Sequence, residues 1–146
     1  MPKLKVLFLC TGNSCRSQMA EGWARQLKAD VIEPYSAGIE KHGMNPHAVK
    51  VMAEAGVDIS KHYSKTPADI GPVQFDYVVT VCDDAREACP YLPNAQHRLH
   101  WSFPDPSQVV GSHEERLAVF RAARDAIKTH VEQFLAAGTP EGGQLP

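Results

Sequence analysis

A chain of 146 residues in which 43% of the side chains are hydrophobic and 22% are charged is typical of one soluble globular domain. The formal net charge of −2 and the absence of a basic run argue against nucleic acid as the main partner. The first apolar run covers only about six residues, which is too short for a signal-peptide core or a membrane span. We therefore expect a cytoplasmic protein that does not associate with membranes.

Strands and helices are predicted to alternate along the chain. An apolar run over 4–10 predicts a buried strand, and the residues after it show a helical period over 17–29. Pro46 after Asn45 is typical of a helix start, and Ser112 with Glu115 has the pattern of a capping box. The other predicted elements are strands over 31–36, 75–82 and 96–101, helices over 46–55, 83–88 and 112–137, and a short helix that begins near Thr66-Pro67.

This alternation predicts a single doubly wound α/β domain, with a four-stranded parallel sheet in the order 2-1-3-4 and helices on both faces. We assign residues 1–137 to the domain and expect residues 138–146 to form a disordered tail. The ligand site should lie beyond the carboxyl ends of strands 1 and 3, where the strand order reverses. Those strands end in Cys10 and Cys82, and because neighbouring strands lie about 4.8 Å apart, the two thiols should come close to disulfide range.

The spacing of the cysteines and histidines does not support a metal site. Cys10, Cys15, Cys82 and Cys89 include no C-x2-C pair, and the seven histidines include no H-x3-H pair. A cytosolic chain is also not expected to rely on structural disulfides. Two interpretations stay open at this point: catalytic or redox thiols, or buried cysteines that pack as small hydrophobic side chains.

The loop after the first strand combines a cysteine, a glycine, an arginine and a helix start. The backbone N–H groups of residues 11–16 can point inward, and the helix N-terminus adds partial positive charge. Arg16 can hold two oxygens of an oxyanion, and the same field favours the thiolate form of Cys10. The loop therefore predicts an oxyanion site with a nucleophilic thiol at its floor.

The run from Cys10 to Ser17, followed by Met19-Ala20-Glu21, resembles the loop shared by low-molecular-weight tyrosine phosphatases and thioredoxin-coupled arsenate reductases. The Cys82 and Cys89 pair and the Pro104-Asp105-Pro106 stretch resemble the arsenate reductases in particular, over about the first 137 residues. The resemblance implies the phosphatase-like fold, arsenate as the substrate, thioredoxin as the reductant and a monomeric protein. The loop residues that it assigns to oxyanion binding are Thr11, Gly12, Asn13, Ser14, Cys15, Arg16 and Ser17.

The resemblance also implies a sequence of chemical steps. Cys10 attacks the arsenic atom while Ser17 stabilises its thiolate, and Asp105, whose pKa must be raised for this task, protonates the departing oxygen. Cys82 then attacks the sulfur of Cys10, so that arsenite leaves and a disulfide forms. Cys89 moves the disulfide to the Cys82–Cys89 pair, and thioredoxin reduces that pair.

Further residues near the loop are expected to have supporting roles. Asn13 should fix the loop through side-chain hydrogen bonds and a positive φ, and Cys15 should be structural. Some family members hold a potassium ion beside the loop, and Asn13, Glu21 and Ser36 match the positions of that site. Position 65 is lysine where potassium binders have an acidic residue, so the Lys65 ammonium group can either take the place of the cation or simply be solvated. Potassium binding stays open, and we predict no other metal or cofactor.

Two other functions fit part of the sequence. A low-molecular-weight protein tyrosine phosphatase would use the same loop, but the segment after Asp105, Pro-Ser-Gln-Val-Val, has no tyrosine to receive a phosphotyrosine side chain. Such an enzyme would also have no use for Cys82 and Cys89, although weak phosphatase activity is expected as a side reaction. A non-catalytic redox sensor would bind an oxyanion and signal through its disulfide without turnover.

Overall fold

The computed structural model describes residues 3–81 and 95–134. Four parallel strands form one sheet in the order β2-β1-β3-β4, which confirms the predicted order 2-1-3-4. The strands are β1 (Leu4–Cys10), β2 (Ile32–Gly38), β3 (Phe75–Thr80) and β4 (Ala95–His100). The helices are α1 (Arg16–Leu27), α2 (Pro46–Glu54), the short α3 (Pro67–Ile70) and α4 (His113–Gln133), with a 3₁₀ turn at Pro106–Gln108.

The central strand β1 is buried on both faces of the sheet. Successive side chains of a strand point to opposite faces, and those from Val6 to Leu9 are all inaccessible to solvent. Its register places Leu9 between Ala37 of β2 and Thr80 of β3. The carboxyl end of β1 is therefore flanked by the carboxyl ends of two neighbours. This is the edge of the sheet where the strand order reverses and where the ligand site is expected.

Helix termini follow the predicted capping signals. The Ser112 hydroxyl accepts a hydrogen bond from the N–H of Glu115, and the Glu115 carboxylate accepts one from the N–H of Ser112, which confirms the capping box. The Asn45 side chain likewise caps α2, with Pro46 at the first helical position. Helix α4 is held against α1 in part by the indole N–H of Trp23, which donates to the carbonyl of Arg124 at 3.1 Å.

Element boundaries differ from the predicted ones by a few residues. Helix α1 begins at Arg16, one residue before the prediction, because the loop turns directly into the helix without a side-chain cap at Cys15. Strand β3 ends at Thr80, although the N–H of Val81 still donates to the carbonyl of Leu9 at 2.8 Å. The predicted helix over 83–88 and the predicted tail over 138–146 lie outside the described residues. In the part of the chain that the structure describes, no helix combines the length and apolarity needed to cross a bilayer.

Candidate active site

The loop over residues 11–15 connects β1 to α1 and is held from outside by the chain that follows β2. Four backbone N–H groups of segment 39–45 donate at 2.9–3.1 Å to the carbonyl at the end of β1 and to three loop carbonyls. The pairs are Ile39 with Cys10, Glu40 with Thr11, His42 with Gly12 and Asn45 with Ser14. Because the C=O and N–H of a trans peptide point in opposite directions, this anchoring favours loop N–H groups that face the other way. The loop can thus present N–H donors to an anion.

A cavity of about 520 Å³ opens above the loop. One side is formed by the loop itself and by His42, and the other by the segment from Ser102 to Gln108. The residues that line it are Cys10, Thr11, Gly12, Ser14, Cys15, Arg16, His42, Ser102, Phe103, Pro104, Asp105, Ser107 and Gln108. The structure therefore brings the thiol, the arginine and the aspartate singled out in the sequence to one cavity, although Asp105 is distant from the loop in the chain.

Asn13 sets the shape of the loop. Its φ of 50° lies in the left-handed region, which asparagine tolerates better than most residues. Its side-chain oxygen accepts hydrogen bonds from the backbone N–H of Lys65 at 2.8 Å and from Gln18 at 2.9 Å, and its amide group donates to Ser17 at 2.8 Å. The expected positive φ and side-chain hydrogen bonds are both present.

Cys10 lies at the floor of the cavity and is almost fully buried, with 2% of its surface exposed. Its sulfur is 2.9 Å from the hydroxyl of Ser17, which follows it by seven residues at the start of α1. The hydrogen bond implied by the sequence resemblance is therefore present. A hydroxyl at this distance can donate to a thiolate and stabilise it.

The guanidinium of Arg16 is oriented by the segment on the opposite wall. Its Nη1 donates to the carbonyl of Phe103 at 3.0 Å, and its Nη2 lies 3.4 Å from the carboxylate of Asp105. Within residues 3–81 and 95–134, its Nε is the buried side-chain nitrogen that has no hydrogen-bond partner. A buried donor without a partner is costly, and an oxyanion in this cavity could satisfy it.

Asp105 stands at the start of the 3₁₀ turn, where its carboxylate accepts hydrogen bonds from the N–H and the hydroxyl of Ser107 at 2.9 and 2.7 Å. Burial raises the pKa of Asp105, but the hydrogen bonds from Ser107 and the charge of Arg16 outweigh it, so the pKa lies below its ordinary value. This direction is opposite to the raised pKa expected of a general acid. The reason is that the fold surrounds the carboxylate with donors and a cation, so a raised pKa would require a negative charge beside it.

Cys15 lies beside these residues but is electrostatically unlike a nucleophile. Burial, followed by the neighbouring charges of Cys10 and Asp105, raises its pKa to about 11. Its sulfur lies 3.9 Å from an oxygen of Asp105, to which the thiol can donate a weak hydrogen bond. These features support the structural role expected for Cys15.

Cys82 and Cys89 lie outside the described residues. The described segment ends at Val81, which donates its N–H to the carbonyl of Leu9, the residue before Cys10. The chain thus passes beside the end of β1 at the residue that precedes Cys82.

The residues expected at a cation site are already paired with one another. The carboxylate of Glu21 accepts hydrogen bonds from Arg25 at 2.7 Å and from Ser36 at 2.5 Å, and the Lys65 ammonium group lies 3.9 Å away. The Asn13 side-chain oxygen is likewise occupied by Gln18 and the Lys65 N–H. Since these oxygens already face donors and two cationic groups, the site does not fit a potassium ion. Among the residues placed by the structure, no cluster of three or more His, Cys, Asp or Glu side chains is arranged to hold a metal.

Several residues that shape the site had no signal of their own in the sequence analysis. A Cβ atom at Gly38 would lie 2.6–2.8 Å from backbone atoms of Thr11, Asn13 and Glu40, so only glycine allows this close approach. The fully buried Gln18 contacts Asn13 and the 62–63 segment. The Phe103 carbonyl that orients Arg16 is a backbone group, which no side-chain motif could reveal.

Comparison with known proteins gives a consistent family assignment. Residues 5–141 match the profile of the low molecular weight phosphotyrosine protein phosphatase family. The chain is 49% identical to an arsenate reductase of Halalkalibacterium halodurans over 138 residues, which cover 94% of this chain and 99% of that protein. It is also 49% identical to the arsenate reductase of Bacillus subtilis over 133 residues, covering 91% and 96% of the two chains.

Solved structures agree with the sequence comparisons. An arsenate reductase in its oxidized state superimposes with a TM-score of 0.78 at 32% identity, over 92% of this chain and 98% of the other. A low molecular weight protein tyrosine phosphatase from T. tengcongensis shares the fold, with a TM-score of 0.74 at 23% identity over 92% and 99% of the chains. The chain therefore belongs to the low molecular weight phosphotyrosine protein phosphatase family and is similar over almost its whole length to arsenate reductases.

Proposed function

We propose that this protein reduces arsenate to arsenite through a disulfide cascade from Cys10 to Cys82 to Cys89, and that thioredoxin regenerates it. The observation that carries the proposal is the meeting of a buried thiol, an arginine and an aspartate at one cavity, in a chain that also carries two further cysteines. A nucleophile and an anion site alone would suit a phosphatase equally well. The additional thiols supply the two electrons that a reduction requires.

Binding of the substrate follows from the geometry of the loop. The N–H groups of residues 11–16 and the guanidinium of Arg16 would hold the oxygens of arsenate, with the unpartnered Nε as one donor. The hydroxyl of Ser17, 2.9 Å from the sulfur of Cys10, would stabilise the attacking thiolate. One relative among the solved structures is described as an arsenate reductase in the phosphate binding state, which supports a tetrahedral oxyanion as ligand of this fold.

The first chemical step joins the sulfur of Cys10 to arsenic and releases an arsenate oxygen as water. Asp105 would donate the proton to that oxygen. Its pKa lies below the ordinary value while it faces Arg16 and Ser107. A dianionic substrate that takes over the interactions of Arg16 would raise the pKa of Asp105 by charge repulsion, so that the acid form is reached when the substrate is bound.

The second step reduces arsenic. The thiolate of Cys82 attacks the sulfur of Cys10, the electron pair of the sulfur–arsenic bond passes to arsenic, and arsenite leaves. A Cys10–Cys82 disulfide remains, in which two sulfur atoms have been oxidised for one arsenic atom reduced. Cys89 then attacks Cys82 and frees the Cys10 thiolate, and a dithiol of thioredoxin reduces the Cys82–Cys89 disulfide.

The names of the relatives support the substrate, since proteins 49% identical to this chain are arsenate reductases. Thioredoxin as the partner, a cytoplasmic location and a monomeric state are parts of the same proposal. They agree with a reaction that needs an external dithiol but no metal.

The decisive experiment follows NADPH oxidation with arsenate, thioredoxin and thioredoxin reductase, and compares the wild type with Cys82→Ser and Cys89→Ser. The wild type should oxidise NADPH continuously, and both variants should lose turnover. Cys89→Ser should still release about one arsenite per protein, because Cys82 can complete a single cascade. Cys82→Ser should release none unless an external thiol is added.

The same experiment separates the alternative functions. A phosphatase would hydrolyse a phosphomonoester, show no arsenate-dependent NADPH oxidation and be unaffected by either substitution. A redox sensor would bind arsenate without continuous NADPH oxidation. Weak phosphatase activity that depends on Cys10 but not on Cys82 would agree with the proposal, because the cavity cannot readily exclude phosphate.

A further inference from the structure

Gln18 is the one fully buried glutamine of α1, and the mechanism above gives it no task. We infer that Gln18 is a positioning residue: together with the backbone N–H of Lys65, it holds the Asn13 amide in the orientation that leaves the Ser17 hydrogen to be donated to Cys10. The inference rests on the proposed nucleophilic role of Cys10. It concerns which atom donates in each of the side-chain hydrogen bonds that link Gln18 through Asn13 and Ser17 to the sulfur of Cys10.

Backbone groups fix the orientation of the Gln18 amide. Its Nε2 lies 3.3 Å from the carbonyl oxygen of Asn13 and 3.0 Å from that of Tyr63. A carbonyl oxygen can only accept, so this end of the amide must be the NH₂ group. The same nitrogen therefore donates to the side-chain oxygen of Asn13, at 2.9 Å.

The orientation of the Asn13 amide is fixed in the same way. Its Oδ1 accepts from the backbone N–H of Lys65 at 2.8 Å, and from Gln18. The NH₂ group of Asn13 must then face Ser17, whose hydroxyl lies 2.8 Å from it. Because this NH₂ can only donate, the Ser17 oxygen accepts, and its own hydrogen is left to donate to the sulfur of Cys10.

The chain of donors also extends outward from Gln18. Its Oε1 lies 2.9 Å from Nδ1 of His62, so that nitrogen must carry a hydrogen. Each hydrogen bond from His62 to Cys10 therefore points toward the sulfur. Without the Gln18 donor, the Lys65 N–H would be the one remaining donor of this network to Asn13 Oδ1. The Asn13 amide could then turn its oxygen toward the Ser17 hydroxyl and accept its hydrogen, and Cys10 would lose its donor.

The series of hydrogen bonds from His62 to Cys10 has different charged and titratable groups near its two ends. Cys15, Arg16, His42 and Asp105 line the cavity around Cys10. Around His62 the charges are those of Glu21, Arg25, Lys65 and Asp58. The side chain of Gln18 carries no charge, so its replacement by a neutral residue alters the hydrogen bonding of Cys10 without removing any of these groups.

The test measures the rate at which iodoacetamide alkylates Cys10 as a function of pH, with the Cys10 peptide quantified by mass spectrometry. In Gln18→Leu the midpoint of the profile should rise by about one pH unit, the effect expected when a thiolate loses one hydrogen bond. The matched control is Gln26→Leu, which makes the same change at an exposed position of α1 and should leave the midpoint unchanged. Since no arsenate is present, this result does not depend on whether the protein reduces arsenate.

A cycle with Ser17→Ala distinguishes positioning from general loosening of the loop. If Gln18 acts through Ser17, then Gln18→Leu should add almost no shift in the Ser17→Ala background. Gln18→Met, which keeps the length of the side chain and its neutral charge but cannot donate to Asn13, should shift the midpoint upward as Gln18→Leu does. Equal shifts with and without Ser17 would overturn the inference.

A measurement on the wild type covers the case in which the variants do not fold. The nitrogen chemical shifts of the His62 ring, read by NMR at a pH where the ring is neutral, should show the hydrogen on Nδ1 and not on Nε2. The opposite tautomer would break the chain of donors at its origin and overturn the inference.

Discussion

The Nη2 atom of Arg16 lies 3.4 Å from the Oδ2 atom of Asp105, so the side chain that would bind the oxyanion is paired with the one that would protonate it. The pairing links two steps of the proposed reaction. A substrate that engages Arg16 competes with Asp105 for the guanidinium. Asp105 then loses part of the positive charge beside it while the negative charge of the substrate comes close, and both changes raise its pKa. Substrate binding and protonation of Asp105 are therefore coupled, because the substrate replaces Asp105 as the partner of Arg16.

Asp105→Asn tests this exchange. The variant removes the competing carboxylate and its repulsion of an anion, so inorganic phosphate should bind several-fold more tightly, as measured by calorimetry. Arsenate turnover should fall by about 10²–10⁴-fold, the usual contribution of a general acid. Weaker phosphate binding together with normal turnover would show that Asp105 is neither a competitor for Arg16 nor the acid.

Cys15 should resist modification at neutral and mildly alkaline pH. Its pKa is raised to about 11 by burial and by the neighbouring Cys10 and Asp105. A raised pKa keeps the thiol protonated until the pH approaches that value, and the protonated thiol is the unreactive form. Alkylation mapped by mass spectrometry should therefore label Cys10 well before Cys15.

Cys15→Ala complements the labelling experiment. The variant loses a weak S–H donor to Asp105, a contact worth at most about 1 kcal/mol, so turnover should stay within about fivefold of the wild type. A loss as large as that of a cascade cysteine would assign Cys15 a redox role and contradict the structural one.

Two glycines, Gly12 in the loop and Gly38 beside it, should differ in their response to alanine. In Gly38→Ala the new Cβ would meet three backbone atoms at 2.6–2.8 Å, which cannot move separately from the loop. This overpacking should destabilise the protein by about 1–3 kcal/mol, measured by urea unfolding, and distort the anion site. In Gly12→Ala the obstacle is the His42 side chain, whose Nδ1, Cγ and Cβ would all lie within 2.9 Å of the new Cβ.

The two variants control for each other, because the obstacle at Gly12 is a side chain, which a second substitution can remove, whereas the obstacle at Gly38 is backbone. The additional substitution His42→Gly, which also removes the His42 Cβ, should restore most of the stability lost in Gly12→Ala. The same substitution in Gly38→Ala should restore nothing. Rescue of both variants, or of neither, would contradict the assigned contacts.

The fold was predictable because its signals are local. The alternation of strands and helices and the capping box at Ser112 can be read from neighbouring residues, and the strand order follows from the handedness of the connections. The contacts that tune the site join distant segments. Nothing in the sequence near Gln18 indicates that it meets residues 62 and 63, or that a carbonyl at Phe103 orients Arg16. The lowered pKa of Asp105 has the same origin, since burial alone suggests the opposite direction.

Lys65 should make the protein indifferent to potassium. Its ammonium group lies 3.9 Å from the Glu21 carboxylate, and desolvation by burial lowers its pKa, with the charge of Glu21 opposing that effect. In the wild type, exchange of sodium for potassium at constant ionic strength should change neither the thermal midpoint nor turnover. In Lys65→Asp two carboxylates would face each other near Ser36 and Asn13, so a cation should then stabilise the fold.

The expected signature of Lys65→Asp is a thermal midpoint that rises with potassium more than with sodium, by a few degrees for each 1 kcal/mol of stabilisation. Lys61→Asp is a suitable control, because it makes the same charge change at an exposed position of the neighbouring segment. It should show no difference between the two cations. A wild-type protein that already responds to potassium would mean that Lys65 leaves Glu21 when the ion binds, and that the paired arrangement of these side chains is not the stable one in solution.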